Sequence, residues 1–259
     1  MGRLSDKVII VTGASRGLGE YCAVGYGVEG ATVVVAARTV EEKDPGLPGT
    51  IHDTARKVEA AGGEALPLVC NVAEQGAVQA MVDQVLERYG RVDVLMNNAG
   101  ILPPGGVADI PLKHWDLLFR VNVHGTFWGC RAVLPSMRER GSGSIINISS
   151  VAADRAAGPY SATKMAVEGL TRGLAEDVRA DGIAVNALKP VGAIATPGMT
   201  YGRPAREERD LPGPESYVEA AVCRASSTAA TCTGEAFDDV RALERLSDEA
   251  TRARLLAGR

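Results

Sequence analysis

Six short apolar runs punctuate the chain, and they are continuous rather than alternating. They read VIIV (8–11), VVVAA (33–37), ALPLVC (65–70), VDVLM (92–96), SIINIS (144–149) and IAVNAL (183–188). A strand with one wet face alternates polar and apolar residues. A strand covered on both faces does not, and that is the condition of a parallel sheet between two helix layers. Helix-length stretches separate the runs. IHDTARKVEAAGG (51–63) ends on a glycine pair, EQGAVQAMVDQVLERYG (74–90) stops at Gly90, and PLKHWDLLFRVNVHGTFWGCRAVLPSMRERG (111–141) stops at Gly141. Glycine is the residue that most easily takes the left-handed turn ending a helix. Strands alternating with helices imply repeated βαβ units, hence one α/β doubly wound domain over 1–259. No Pro-, Gly- or Ser-rich linker divides it. The one long irregular stretch, TPGMTYGRPAREERDLPGPE (196–215), is expected to be a loop or lid beside a substrate, and 241–259 a C-terminal tail.

Composition removes several classes of function. The formal net charge is −4 and no run of Lys and Arg occurs, so neither nucleic acid nor an anionic membrane is an expected partner. No apolar run approaches the roughly 20 residues of a membrane span, and the leading MGRLSDKVIIVTG has no signal-like apolar core. Cys22, Cys70, Cys130, Cys223 and Cys232 are widely spaced, with no C-x-x-C pair, which fits reduced thiols in the cytoplasm. His52, His114 and His124 have no ligand-like spacing, so no metal is expected.

The first run leads directly into VTGASRGLG (11–19), and a helix follows. Gly13, Gly17 and Gly19 are spaced G-x-x-x-G-x-G. Such a turn lets backbone N–H groups at a helix N-terminus approach a pyrophosphate closely. Ser15, Arg16 and Leu18 complete the expected dinucleotide turn. Gly25 and Gly27 lie inside the following helix, each at a cost of about 1 kcal/mol against alanine, which close packing of that helix on the sheet would justify.

TGASRGLG, NNAG (97–100), NISS (147–150) and YSATK (160–164) occur in that order. Together they resemble the short-chain dehydrogenase/reductase family, from about Lys7 to Thr196. The resemblance implies a single Rossmann-like domain, a parallel sheet of about seven strands, a nicotinamide cofactor and hydride transfer at a ketone or secondary alcohol. Tyr160 and Lys164 are four residues apart and share one helix face. Tyrosine ordinarily titrates near pH 10, and a neighbouring ammonium is expected to lower that value so that Tyr160 works as acid or base. By the same likeness Ser150 would hydrogen-bond the substrate oxygen, and Asn122 would hold a water linking Lys164 to solvent. Asn98, Ala99 and Gly100 would line the adenosine and ribose side, and Asn71 and Val72 would face adenine. Lys164 would also touch the nicotinamide ribose, and Pro190 and Thr196 would lie along the nicotinamide.

After the second run the chain reads VVVAART. No carboxylate stands at that strand end for a ribose 2′-hydroxyl; Arg38 does, with Arg16 nearby. Two guanidinium groups suit a 2′-phosphate. The expectation is therefore NADP(H) and carbonyl reduction. An NAD(H)-dependent secondary-alcohol dehydrogenase and a non-catalytic nucleotide-binding scaffold are the alternatives. The chain departs from the family pattern in places. Ser150 and Tyr160 are only ten positions apart, Val191 separates Pro190 from Gly192, Asn71 replaces an acidic residue, and the tail lacks a glycine-rich ending. The long helices near 112–141 and 160–179 carry more apolar surface than one sheet face covers, so a homodimer or homotetramer is expected. Which carbonyl or alcohol is bound stays open.

Overall fold

The computed structural model describes residues 2–42, 44–155, 158–200 and 211–256. Much of the segment expected as a lid, 201–210, therefore lies outside the described residues, as does the end of the tail, 257–259.

Seven parallel strands form one sheet: β1 Val8–Thr12, β2 Thr32–Ala37, β3 Glu64–Val69, β4 Val94–Asn97, β5 Gly143–Ile148, β6 Ile183–Lys189 and β7 Ala236–Asp238. The strand order is β3-β2-β1-β4-β5-β6-β7. The connection from β3 to β4 carries the chain from one half of the sheet to the other, so the switch point lies between the neighbouring strands β1 and β4, and ligands of such sheets bind outside the strand ends there. The three central β1 residues, Ile9 to Val11, have a partner on both sides; Ile10 pairs with Val34 of β2 and with Leu95 of β4.

The continuous apolar runs are explained by two cores. Ile9 and Val11 face a cluster with Cys22, Tyr26, Tyr217 and Leu243. Val8 and Ile10 face the opposite cluster with Val78, Met81 and Val133. The run at 65–70 behaves differently. Its strand, β3, is the sheet edge, and Val69 is 65% exposed. Pro67 sits there without disturbing the ladder because an edge strand can spare an N–H.

On the first core's side lie α1 Gly17–Val28, α2 Ile51–Ala60 and α8 Glu215–Ala225. The two odd glycines of α1 now have a reason. A Cβ at Gly25 would strike Val218 of α8, and one at Gly27 would lie 3.0 Å from the Val58 carbonyl oxygen of α2. Helix α1 is pressed between two helices, and glycine is what permits the approach.

The other face carries α3 Gln75–Tyr89, α5 Gly125–Arg140 and α6 Gly158–Val178. The stretch expected as one helix over 111–141 is α4 Leu112–Phe119, a single π turn Arg120–His124, and α5. A π turn inserts one residue into the helical ladder and recurs at functional sites; here it holds Asn122. Gly90 and Gly141 close α3 and α5 in the left-handed conformation, at φ 70° and 62°. After β6 comes the short α7 Pro197–Thr200. The tail is ordered into α9 Asp239–Leu246 and α10 Glu249–Leu256, with Leu255 and Leu256 packed on the first core. Among the described residues no helix is long and apolar enough to cross a membrane. Leu112, Leu117, Phe127 and Met165, on α4, α5 and α6, stay substantially exposed.

Candidate active site

The glycine turn forms where β1 ends. Gly13 and Gly17 have φ of 66° and 60°, the left-handed region that disfavours side chains. Space is equally restrictive: a Cβ at Gly13 would fall 2.7 Å from Ala99 Cα, and one at Gly19 2.6 Å from the Gly13 oxygen. Two side chains hold the loops in this contact. Thr12 Oγ1 accepts from the N–H groups of Asn98 and Ala99, both at 3.1 Å. Asn98 Nδ2 donates to the carbonyls of Thr12 at 2.8 Å and Gly13 at 3.2 Å. The Asn98 side chain is thus spent on bracing the turn, whereas Ala99 and Gly100 line the cleft.

One cleft gathers eight of the expected cofactor residues: Gly13, Ser15, Arg16, Arg38, Asn71, Val72, Ala99 and Gly100. It opens in front of the N-terminus of α1, where the N-cap residue Arg16 makes no side-chain capping bond. Gly17 and Gly19 are buried beneath it, and Leu18 packs toward the core. Thr196 reaches the same turn, its Cβ 3.5 Å from where a Gly17 Cβ would stand. Pro190 follows β6, and the inserted Val191 is held by its N–H to Asp239 Oδ1 at 2.7 Å.

Arg16 gives Nη2 to the Gly49 carbonyl at 2.9 Å, while its Nε is buried without a protein partner. Arg38 is exposed, and no ion pair of Arg38 occurs among the described residues. Both line an adjoining cleft whose far wall is the loop after β2. That wall brings in Glu41 and Asp44, carboxylates absent from the strand end itself.

The second half of the site is at the end of β5. Ser150 Oγ accepts the Ala152 N–H at 3.2 Å, which starts a 3₁₀ turn, Val151–Asp154, and leaves the Ser150 hydroxyl proton free to donate. That side chain is close enough to the Tyr160 phenol to lower its pKa. The short connector has therefore not parted the two groups. One turn along α6, Lys164 is 4% exposed. Its Nζ donates to the Ile148 carbonyl at 2.7 Å and stands 5.5 Å from the Tyr160 ring centre.

The charges are set differently from the expectation that Lys164 lowers the Tyr160 phenol. Burial raises Tyr160, and the Ser150 side chain offsets this only in part. Burial also pushes Lys164 down to about 8. Each group resists ionising because the pocket is dry. Both lie in this dry pocket, the phenol protonated near neutrality and the lysine close to its titration point.

Asn122 clasps the loop after β4. Its Oδ1 accepts the Ile101 N–H at 2.9 Å, and its Nδ2 donates to the Ile101 carbonyl at 3.0 Å and to Thr163 Oγ1 at 3.2 Å. Asn122 and Lys164 converge on Gly100, where a Cβ would lie 3.5 Å from Asn122 Oδ1 and 3.8 Å from Lys164 Nζ. Thr12, Ile101, Ile148 and Thr163 were not legible as site residues. Two act through backbone groups, and the hydroxyls of the other two touch residues more than 40 positions away.

The residues present fit a nicotinamide dinucleotide. The positive-φ glycines leave a cradle that a Cβ would fill, a helix N-terminus without a side-chain bond from its N-cap residue faces it, and Arg16 Nε is a buried donor with no acceptor among the described residues.

The family model for short chain dehydrogenases matches residues 7–207. Hydroxysteroid dehydrogenase-like protein 2 from Mus musculus is 36% identical over 203 residues, covering 76% of this chain and 41% of its own. The Danio rerio protein of the same name is also 36% identical, with 76% and 48% covered. The chain thus spans less than half the length of these relatives. Among solved structures, a short chain dehydrogenase from Mycobacterium thermoresistibile superposes with a TM-score of 0.84 at 31% identity, covering 94% of this chain and 88% of that one. A metagenomic short-chain oxidoreductase in complex with NADP gives 0.76 at 30% identity, with 92% and 99% covered.

Proposed function

The chain belongs to the short-chain dehydrogenase family, and on that premise we propose that it is an NADP(H)-dependent oxidoreductase working as a carbonyl reductase on a ketone, or in reverse on a secondary alcohol. The observation that carries this reading is the half-buried Tyr160, its phenol close enough to Ser150 for that side chain to lower its pKa and its ring one helical turn from the buried Lys164. When bound, the nicotinamide would supply the hydride to the carbonyl carbon. Tyr160 gives its proton to the carbonyl oxygen as that oxygen gains charge. The Ser150 hydroxyl donates a hydrogen bond to the same oxygen. Lys164 would hold the nicotinamide ribose, and Asn122 fixes the loop after β4 beside Lys164. A phenol kept protonated by burial is the form that reduction consumes, which supports the reductive direction.

Three observations support NADP(H). Arg38 is free at the end of β2, Arg16 has a buried unpartnered Nε, and a relative of the same fold is known in complex with NADP. Glu41 and Asp44 would then lie beside the phosphate-binding arginines and limit their net positive charge. Exposed apolar side chains on α4, α5 and α6 support assembly as a homodimer or homotetramer, and five free, buried thiols support a cytoplasmic setting.

The test is a panel of ketones and secondary alcohols, including a hydroxysteroid and its ketone in view of the mouse and zebrafish relatives' names, followed by NADPH absorbance. Turnover in the wild type that Tyr160→Phe abolishes is expected. The same negligible turnover in both, with NADPH bound normally by each, would overturn the reading.

A further inference from the structure

Tyr160, Lys164 and Glu168 recur at every fourth position of α6 and therefore share a face. Each grips a successive residue at the end of β5. Lys164 holds the Ile148 carbonyl, Glu168 Oε1 accepts from Ser149 Oγ at 2.7 Å, and Tyr160 meets Ser150. Glu168 is buried, and a buried carboxylate needs a partner.

The partner comes from β6. Lys189, the last residue of that strand, is 7% exposed, and its Nζ donates to Glu168 Oε1 at 3.1 Å. The same Nζ donates at 2.7 Å to Asp154 Oδ2. Asp154 ends the 3₁₀ turn that follows Ser150, in the middle of the shortened connector. One cation thus joins β6, α6 and the connector. Arg172 also approaches Glu168, at 3.7 Å through the other carboxylate oxygen, but among the described residues no other group on the sheet holds Asp154. The Ser161 hydroxyl, which reaches the Ala152 and Arg155 carbonyls, ties the connector to α6 alone.

We infer that Lys189 is a positioning residue of the active site: through Asp154 it fastens the turn Val151–Asp154, just after Ser150, to the sheet and so fixes the rim against which the substrate lies. The assignment of that rim to substrate rests on the function proposed above. The fastening itself does not, and the two are separable by experiment. A connector of ordinary length could pack under its own side chains. One this short has few to spare, so an ionic tether to the strand end replaces them.

The variants are Asp154→Asn, Lys189→Met, Lys189→Arg and the double variant Lys189→Met with Asp154→Asn. Two readouts are taken: the rate of tryptic cleavage after Arg155, an exposed connector residue, and kcat and KM on a ketone that the wild type reduces. Cleavage is expected to accelerate about tenfold in Asp154→Asn and in Lys189→Met. KM should rise about tenfold with NADPH affinity unchanged and kcat little altered, the pattern of lost substrate binding and not of a displaced reacting group. Lys189→Arg should restore most of both, because a guanidinium can span two carboxylates, and the double variant should be no worse than Lys189→Met. Asp154→Asn indistinguishable from wild type in cleavage and in KM would overturn the inference, and that variant decides the matter even if Lys189→Met fails to fold. If the wild type reduces no carbonyl, the functional reading falls, while the cleavage rates still decide whether the tether exists.

Discussion

The two halves of the site are built on opposite principles. The half formed by β1, α1 and the β4 loop is shaped by what is missing. Its glycines bring backbones to within a Cβ radius of one another, and its polar bonds join main-chain groups to Thr12 and Asn98. The half formed by β5, α6 and β6 is shaped by what is buried. Tyr160, Lys164, Glu168 and Lys189 sit in a dry layer, each held by a polar neighbour or an opposite charge. A backbone cradle presents the same N–H groups at any pH. A buried ionic layer responds to pH and to the loss of a single partner. The first suits holding a ligand of fixed shape, the second suits moving a proton.

That contrast is broken most sharply at Tyr160. Tyr160→Phe removes the proton donor and leaves the cradle alone. Turnover should fall by about 10²–10⁴-fold, the range of a lost general acid, with NADPH affinity nearly intact. A parallel loss of NADPH binding, measured by fluorescence titration, would mean that the halves are not independent.

The next effect is electrostatic. Lys164 in the unfolded chain keeps its proton to near 10.5, while in the folded protein burial brings it down to about 8. Between those values the unfolded chain binds more protons, so stability rises with pH across that window. Relative to Lys164→Met, the wild type should gain about 3 kcal/mol from pH 8 to 10.5, at 1.36 kcal/mol per unit. Urea midpoints of the two proteins at each pH check this; a constant difference would place Lys164 in water.

On the cradle side, Arg38→Ala should weaken NADPH binding by about 1.5–3 kcal/mol, as for one charge-assisted hydrogen bond. NADH binding should barely change. Equal affinities for NADPH and NADH in the wild type would remove the phosphate role from Arg38, and Glu41 and Asp44 would be the reason to examine first.

The smallest effects separate glycines that make room from glycines that do not. Gly27→Ala meets Val58 at 3.0 Å and should destabilise, whereas Gly76→Ala on α3 meets nothing within 4 Å and should stabilise by about 0.5–1 kcal/mol. Thermal unfolding of both variants reads the opposite signs.

The sequence by itself determined the sheet and the order of its parts. A run such as VIIV has no polar residue to show to water, so it must lie between two layers, and that property is local. It determined the glycine turn for the same reason, since only glycine takes φ near +65° without strain. The four-residue step from Tyr160 to Lys164 also fixed their common face. Other features were decided by the tertiary structure alone. Whether Tyr160 is raised or lowered depends on how dry the pocket is and on where the Lys164 ammonium points, and it points to a carbonyl of β5. Asn98 could have faced a ligand or the turn; the approach of the β4 loop to β1 decided for the turn. Gly25 and Gly27 suggested close packing on the sheet; the neighbours that need the room are helices, α8 and α2. Lys189, Glu168 and Asp154 lie on three different elements, and nothing in their spacing joins them. Local preferences are written in a few neighbouring residues. Burial and charge pairing are properties of what comes to lie opposite, and only the folded chain brings those partners together.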